Sequence, residues 1–377
     1  MNERARMSGI NILPIVSSIL AIVMAFIIGG IFLQANGKDA LHAYRILFER
    51  GLVNGDGLTE TFKKMAPMLI VSAGLLIALR ASVWNIGIDG QFMVGALMAG
   101  VVGANLAGSV PNPVMWLVAA LAGIVGGLVW AIIPALLMVK FRLNEIITTL
   151  MMNYVAVYVT AWLVKVPFKD PGRVAPETTK IPLSDRLPFI PGTAVHIGLI
   201  VGLISVVVVA IIFRSTVYGF CLDVVGRNRR AAIHAGLPVG RLAGSALLLS
   251  GAFAGLAGAN DVLGIQGLFK ANWNPGYGFT AFALVYLARL NSLLIIPFAF
   301  FFSFLLVGGD SMPRRADVPT YFVGMLEGLM LICFAFAVYL ERRWHVVSER
   351  LRGRSDDRVE SETSSGVAPL EGLEGSS

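Results

Sequence analysis

Charge and cysteine are both scarce in this chain of 377 residues. Only 14% of its residues are Asp, Glu, Lys or Arg, where a water-soluble domain carries about 25%. The hydrophobic share is 56% and the mean hydropathy +0.76, more apolar surface than one globular core can hide. That excludes a soluble domain of this length and makes lipid the natural solvent. The two cysteines, Cys221 and Cys333, stand far apart and in no metal-ligand spacing, which excludes a disulfide framework and a cysteine zinc site. They read as inert fillers. No Gly-x-x-x-x-Gly-Lys-Ser/Thr phosphate loop occurs, so the chain does not by itself cradle and hydrolyse a nucleotide in the usual way. No His-Glu-x-x-His or paired-cysteine metal motif occurs either. His42, His196, His234 and His345 are scattered over loops and span ends as polar surface residues. A membrane-embedded enzyme needs His, Asp or Glu clustered near one interface, and none is visible.

What is abundant is apolar runs, near the roughly 20 residues that cross about 30 Å of hydrocarbon. They fall at about 10–34, 65–80, 91–108, 115–138, 146–165, 195–213, 243–263, 277–288, 292–308 and 320–340. The expectation is an all-α polytopic membrane protein of about ten transmembrane helices. The eighth run is short, and its join to the ninth at Arg289-Leu290-Asn291-Ser292 is tight. The first run reads as a retained anchor rather than a removed signal peptide. Arginine and lysine set the orientation: Arg4, Arg6, Arg80, Lys140, Arg142, Arg214, Arg227, Arg229, Arg230, Arg241 and Arg289 all fall on one side when the N-terminus is inside. Loops 36–63 and 166–194 then lie outside, their basic residues interleaved with Asp39, Glu49, Asp56, Glu60, Asp170, Glu177 and Asp185. An even number of spans returns the C-terminus to the cytoplasm, in agreement with Arg342, Arg343, Arg350, Arg352 and Arg354. The organisation is a cytoplasmic N-terminus over 1–9, a transmembrane domain over 10–345 and a Ser/Glu/Gly-rich disordered tail over 346–377. The net charge of +7 reports cytoplasmic loops in a bilayer, with no nucleic-acid partner implied.

Four polar interruptions stand out. The basic island Arg214 to Arg241, within the loop 214–242, encloses a short helix candidate bounded by glycines, Gly226-Arg227-Asn228-Arg229-Arg230-Ala231-Ala232-Ile233-His234-Ala235-Gly236. Trp84-Asn85-Ile86-Gly87-Ile88-Asp89-Gly90-Gln91 separates the second and third runs. Its two glycines each weaken a helix by about 1 kcal/mol relative to alanine, so the chain either re-enters here, with Asn85, Asp89 and Gln91 serving the freed backbone or a polar solute, or makes an interfacial turn. A carboxylate at the bilayer centre costs at least about 2.5 kcal/mol, which requires a wet or protein-lined place for Asp89. Asn272-Trp273-Asn274-Pro275-Gly276-Tyr277-Gly278 repeats the Trp-Asn-x-Gly pattern on the opposite side, as in an inverted repeat of broken helices or by chance similarity. The fourth, Arg142 to Tyr154, opens the fifth span. There Asn144, Thr148 and Asn153 or Tyr154 sit near helical spacing for cross-helix hydrogen bonds, and Glu145 suits a helix start. The run Gly251-Ala252-Phe253-Ala254-Gly255-Leu256-Ala257-Gly258 reads as close helix packing.

From about the second span to the tenth, the chain resembles the permease subunits of bacterial ABC importers, in the simple-sugar and nucleoside branch related to ribose and branched-chain amino acid permeases. The resemblance rests on Asn85 to Gln91, Leu143 to Tyr154, Gly226 to Gly236, Ser250 to Gly258 and Pro275-Gly276-Tyr277-Gly278-Phe279, in that order. Asp89 is a departure, because the family more often has glutamate there. The resemblance implies a multi-pass protein of the bacterial inner membrane with no cofactor of its own. ATP and Mg would belong to a separate ATPase subunit, solute would arrive on an extracytoplasmic binding protein, and a second permease subunit, usually a paralogue, would complete the membrane part. It makes Gly226, Arg227, Asn228, Arg229, Arg230, Ala231, Ala232, Ala235 and Gly236 the helix that rests in the ATPase. Ala231, Ala232 and Ala235 would enter a groove while the arginines pair with acidic rims.

The mechanism expected is alternating access around a path near the bilayer midplane, with Asn85, Asp89, Gln91, Asn153 and Asn274 as polar lining and most selectivity on the binding protein. An ion-coupled secondary transporter of a small polar solute is the alternative, since it too shows broken helices and buried carboxylates.

Overall fold

A computed structural model describes residues 13–341 of the chain, with side chains from Ser17 onward. The N-terminal segment 1–9, the arginine cluster from Arg342, His345 and the tail 346–377 lie outside the described residues. The helices in order are α1 (Leu13–Ala35), α2 (Ala40–Phe48), α3 (Gly55–Arg80), α4 (Ile88–Leu106), α5 (Asn112–Phe141), α6 (Glu145–Lys165) and α7 (Gly198–Ser215). They continue with α8 (Val217–Arg227), α9 (Arg229–His234), α10 (Val239–Asp261), α11 (Tyr277–Leu287), α12 (Ile295–Gly309), α13 (Met312–Arg315) and α14 (Phe322–Glu341). Among the described residues the only β pairing is two isolated bridges, Glu177 with Lys270 and Phe189 with His196. The fold is that of an all-α polytopic membrane protein.

Eight of these helices are long and apolar enough to cross a membrane. Two further predicted runs are helical on different terms. Helix α4 has 19 residues but carries Asp89 and Gln91 in its first turn. Helix α11 has 11 residues, which at 1.5 Å each cover roughly 16 Å, about half the hydrocarbon. The second run starts ten residues earlier than its apolar stretch indicates, because α3 continues to Gly55 as a polar turn region. There Lys63 pairs with Glu60 at 2.7 Å and Lys64 with Asp310 at 2.6 Å. The stretch 36–63 is accordingly ordered structure: Asp39 caps α2 by accepting from His42 N at 3.0 Å, and a π-helical turn spans Glu49–Val53.

By internal contacts, residues 27–328 form one unit and residues 13–26 with 329–341 a second. In the second, Ser17 Oγ donates to Glu341 Oε2 at 3.4 Å. In the first, α10 packs on α3, α4 and α5. Close approach requires glycine where α4, α5 and α10 cross: a Cβ on Gly255 would stand 2.1 Å from Gly123 O, and one on Gly95 would stand 2.3 Å from Gly255 Cα. The glycine-rich run 251–258 is therefore a packing surface, as its composition indicates. Toward the outside, α5 presents Leu117, Leu121, Val125 and Val129, and α7 presents Ile200, Ile204, Val208 and Ile211. These are aliphatic faces suited to lipid tails.

Candidate functional site: a helix-breaking joint and the helix pair behind it

Between α3 and α4 the chain turns through Ser82, whose φ of 54° is left-handed, and becomes helical again at Ile88. Polar side chains take over the hydrogen bonds that this break frees. Asn85, with 0% exposure, donates from Nδ2 to Gln91 Oε1 at 2.7 Å and to Ser250 Oγ on α10 at 2.9 Å. Gln91 Nε2 returns a bond to Asn85 Oδ1 at 3.1 Å. Asn153 on α6 accepts from Gly90 N at 2.8 Å and donates to Ile86 O. Thr149 Oγ1 accepts from Ile86 N at 3.2 Å. Each such bond is worth about 0.5–1.5 kcal/mol net, and leaving one of these buried groups unpaired costs about 1–3 kcal/mol. Gly87 permits the contact, since a Cβ there would lie 2.8 Å from Thr149 O.

The two Trp-Asn interruptions, assigned by charge to opposite sides of the membrane, touch one another. Asp89 Oδ1 accepts from Gly278 N at 2.7 Å. The N-cap of α11 is Gly276, at φ 72° and with no side chain to offer, so Asp89 supplies the cap from another helix. A carboxylate at a helix N-terminus contributes about 0.3–1 kcal/mol, more when partly buried. Aromatic contacts run alongside: Phe92 meets Trp273 at 5.8 Å and Tyr277 at 5.5 Å, and Trp84 stacks on Phe282 at 6.2 Å beside Tyr286 at 5.8 Å. Residues 84–92 therefore lie antiparallel to 273–286.

Of the five polar candidates, Asn85, Asp89, Gln91 and Asn153 come together at this joint, with their hydrogen bonds directed to the chain itself. Asn274 stands apart and exposed, accepting from Gly276 N at 2.9 Å. The sequence reading missed Glu327, whose Oε2 accepts from Thr280 Oγ1 at 2.8 Å, and Asp261, fully buried at the end of α10. An acidic residue inside an apolar run was the available signal for both. His196, read as a surface residue, is buried instead. It lies in the loop just ahead of α7, its Nδ1 accepts from Gly198 N at 3.1 Å, and burial pushes its pKa down to about 4, with Lys63 lowering it further and Glu60 opposing.

The basic island folds as the helix pair α8 and α9. Gly226 does not bound the short helix, as the sequence suggests. It belongs to the last turn of α8, and the boundary is Asn228, whose Oδ1 accepts from Arg230 N at 3.1 Å and Ala231 N at 3.0 Å. Gly236, at φ 77°, ends the turn. A second correction concerns Ala232, expected on the outward surface: it is buried against Val225 and Val239. The outward residues are Arg227, Asn228, Arg229, Arg230, Ala231, Ile233, His234, Ala235 and Gly236. Beside them lies a groove of ≈ 670 Å³ between Met138, Arg142, Glu145, Arg229, Ile233 and Val239.

This helix pair is tied to the joint. Arg80, the last residue of α3, donates from Nε to Asp223 Oδ1 at 2.7 Å, and its second nitrogen reaches Asp223 Oδ2. Its guanidinium lies 4.0 Å from the centre of the Phe213 ring. Gly226 packs so close that a Cβ would stand 1.9 Å from Arg80 O, and Ser82 Oγ donates to Gly226 O at 2.8 Å. The end of α8 is thereby fixed to residues 80–82, two residues before the joint begins.

Apolar helices long enough to span a membrane, packed around a helix-breaking joint with an exposed helix pair clamped to it, define a polytopic helical membrane protein. Residues 57–335 match the family of branched-chain amino acid transport system permease components, and the chain belongs to that family. It is similar to the glucose ABC transporter permease protein of Haloferax volcanii, 32% identical over 337 residues, 86% of this chain and 88% of that one. It is similar to the guanosine ABC transporter permease protein NupP of Bacillus subtilis, 29% identical over 84% of this chain and 92% of that one. Its identity to the nucleoside ABC transporter permease protein NupB of Lactococcus lactis is 25%, over 86% of this chain and 91% of that one. The chain is thus an ABC transporter permease component, a multi-pass protein of the cell membrane and a transporter part rather than an enzyme. Membership implies association with an ATPase and a substrate-binding protein. Nothing in these findings favours the ion-coupled alternative.

Proposed function

We propose that this chain is one permease subunit of an importer for nucleosides or simple sugars, working by alternating access with both termini in the cytoplasm. The observation that carries the reading is the clamp of Arg80 and Ser82 on Asp223 and Gly226. It gives a push on the exposed helix α9 a short rigid route to the joint at Asn85, Asp89 and Gln91. The outward face of α9, with Arg229, Arg230 and Ile233 beside the groove and Arg227 just ahead of it, is the docking surface for the ATPase, which would hold ATP and Mg. Residues Gly226 to Gly236 remain the coupling segment, with Ala232 as its inward anchor. The substrates in the names of these relatives, glucose, guanosine and nucleosides, support the solute class. Two chains of Bacillus subtilis, NupP and NupQ, are both similar to this one and both named guanosine permeases, which supports a paralogue as the second permease subunit. A binding protein would deliver the solute.

The test is uptake of labelled guanosine and glucose by vesicles holding the whole transporter. Ile233→Glu sets a carboxylate on the exposed face of α9, where the fold tolerates it, and is expected to abolish ATP-driven uptake at unchanged membrane levels. Uptake that survives this substitution, or wild-type uptake that follows an ion gradient without ATP, overturns the reading.

A further inference from the structure

Helix α6 has two chemically different faces. Thr149, Met152, Ala156, Thr160 and Val164 are buried, and with Asn153 this side holds the joint. The opposite side exposes Tyr154 at 58%, Tyr158 at 75% and Trp162 at 57%. Spaced by four residues, these rings stand above one another at roughly 6 Å intervals along one stripe. Neither phenol hydroxyl nor the indole N–H has a hydrogen-bond partner among the described residues.

Such a stripe is unlike the aliphatic faces of α5 and α7. Tyrosine and tryptophan suit lipid at the two interfaces, where their polar ends reach water. Tyr154 is far from both, because nine residues precede it in α6 and eleven follow, placing it roughly 14 Å from the nearer end. In hydrocarbon its hydroxyl would stay unpaired at a cost. A water-filled path removes that cost, and stacked rings with hydroxyls are the chemistry that grips a flat, polar-edged solute. The inward face of the same helix grips the joint through Asn153 and Thr149, so this face is continuous with the element proposed to move.

We propose that the Tyr154–Tyr158–Trp162 face of α6 lines the translocation path and is a transit site for nucleosides, the base stacking on the tyrosine rings and the hydroxyls meeting its polar edges. The proposal rests on the importer reading and narrows its solute class from nucleosides or simple sugars to nucleosides.

The test uses the assembled transporter in vesicles, with Cys221→Ser and Cys333→Ser as background and Tyr154→Cys, Tyr158→Cys and Val129→Cys added singly. A membrane-impermeant sulfonated maleimide is expected to label positions 154 and 158 and not 129, with labelling slowed by guanosine and unaffected by glucose. In the otherwise native chain, Tyr158→Leu is expected to raise the KM for guanosine about tenfold, within the range of one base–ring stack, while Tyr158→Phe keeps most of the affinity. The proposal is overturned by unlabelled 154 and 158 whose spin-label signal is broadened by lipid-soluble oxygen, by cross-linking to the second permease subunit without guanosine protection, or by protection from glucose instead. Wild-type uptake of guanosine and of glucose is measured in parallel. Absence of both guanosine and glucose uptake sinks the importer reading itself, whereas glucose uptake alone, or guanosine uptake with inert cysteines, sinks only this proposal.

Discussion

Asp89 and Gly278 are 189 residues apart in sequence, and the carboxylate of the first caps the helix that the second begins, at 2.7 Å. This one contact joins the two polar interruptions of the chain and makes α4 and α11 a single unit. Asp89→Ala is expected to destabilise the purified protein by about 1–2 kcal/mol, the cost of losing an N-cap, and Asp89→Asn by less because an acceptor remains. Thermal unfolding in detergent measures both. Equal stability of the alanine variant and wild type would mean that α11 needs no cap from α4.

Arg80 and Asp223 form the clamp between the joint and the helix pair. Asp223→Arg is expected to reduce solute uptake at least tenfold while the complex still hydrolyses ATP, and the exchange Arg80→Asp with Asp223→Arg to recover part of it. The thermodynamic cycle over the four proteins should show coupling of about 1 kcal/mol or more, as for residues in one hydrogen-bonded ion pair. Additive effects would place the route between α8 and the joint elsewhere.

Ala232 and its neighbour Ala231 should respond differently to the same change. Ala232→Glu buries a charge between Val225 and Val239 and is expected to cost about 3 kcal/mol or more locally, seen as protease cleavage between α8 and α10. Ala231→Glu, on the exposed side, should leave the segment resistant and weaken only the association with the ATPase. Identical protease patterns for the two variants would contradict the inward placement of Ala232.

His196 gives a pH dependence of defined sign. Its imidazole is neutral in the folded chain, with a pKa lowered from 6.5 to about 4, so below the ordinary value the unfolded state binds the extra proton. Stability from this group is fully present above pH 6.5 and is lost as the pH falls toward about 4, up to about 3 kcal/mol in all. His196→Asn keeps an acceptor for Gly198 N and cannot titrate. Its stability should therefore lack that part of the fall, and superimposable pH profiles of the two proteins would exclude the effect.

Much of this protein is legible residue by residue. The apolar runs are set by the bilayer, which penalises every unpaired backbone group, so helices follow from hydropathy alone. Trp84 to Gln91 stands out because two glycines and three polar residues interrupt that pattern. The helix α9 is readable from its alanines and from Gly236 as a stop, although Asn228 displaces Gly226 as the start.

Other features depend on partners remote in sequence. Asn153 and Tyr154 are adjacent and both polar. A helix turns them about 100° apart, and only the packing of α6 on the joint sends Asn153 inward to Gly90 and leaves Tyr154 outside. Ala232 looks like its neighbours until Val225 and Val239 close over it. Glu327 is an acid in an apolar run until Thr280 is found opposite.

The sequence by itself determined that the chain lives in lipid, that it is helical and where its polar breaks fall, because solvent and backbone hydrogen bonding act on each segment locally. Tertiary structure alone decided that Asp89 caps α11, that Arg80 holds Asp223 and that the tyrosines of α6 face outward. Those outcomes depend on which distant surfaces meet, and no local energy specifies that.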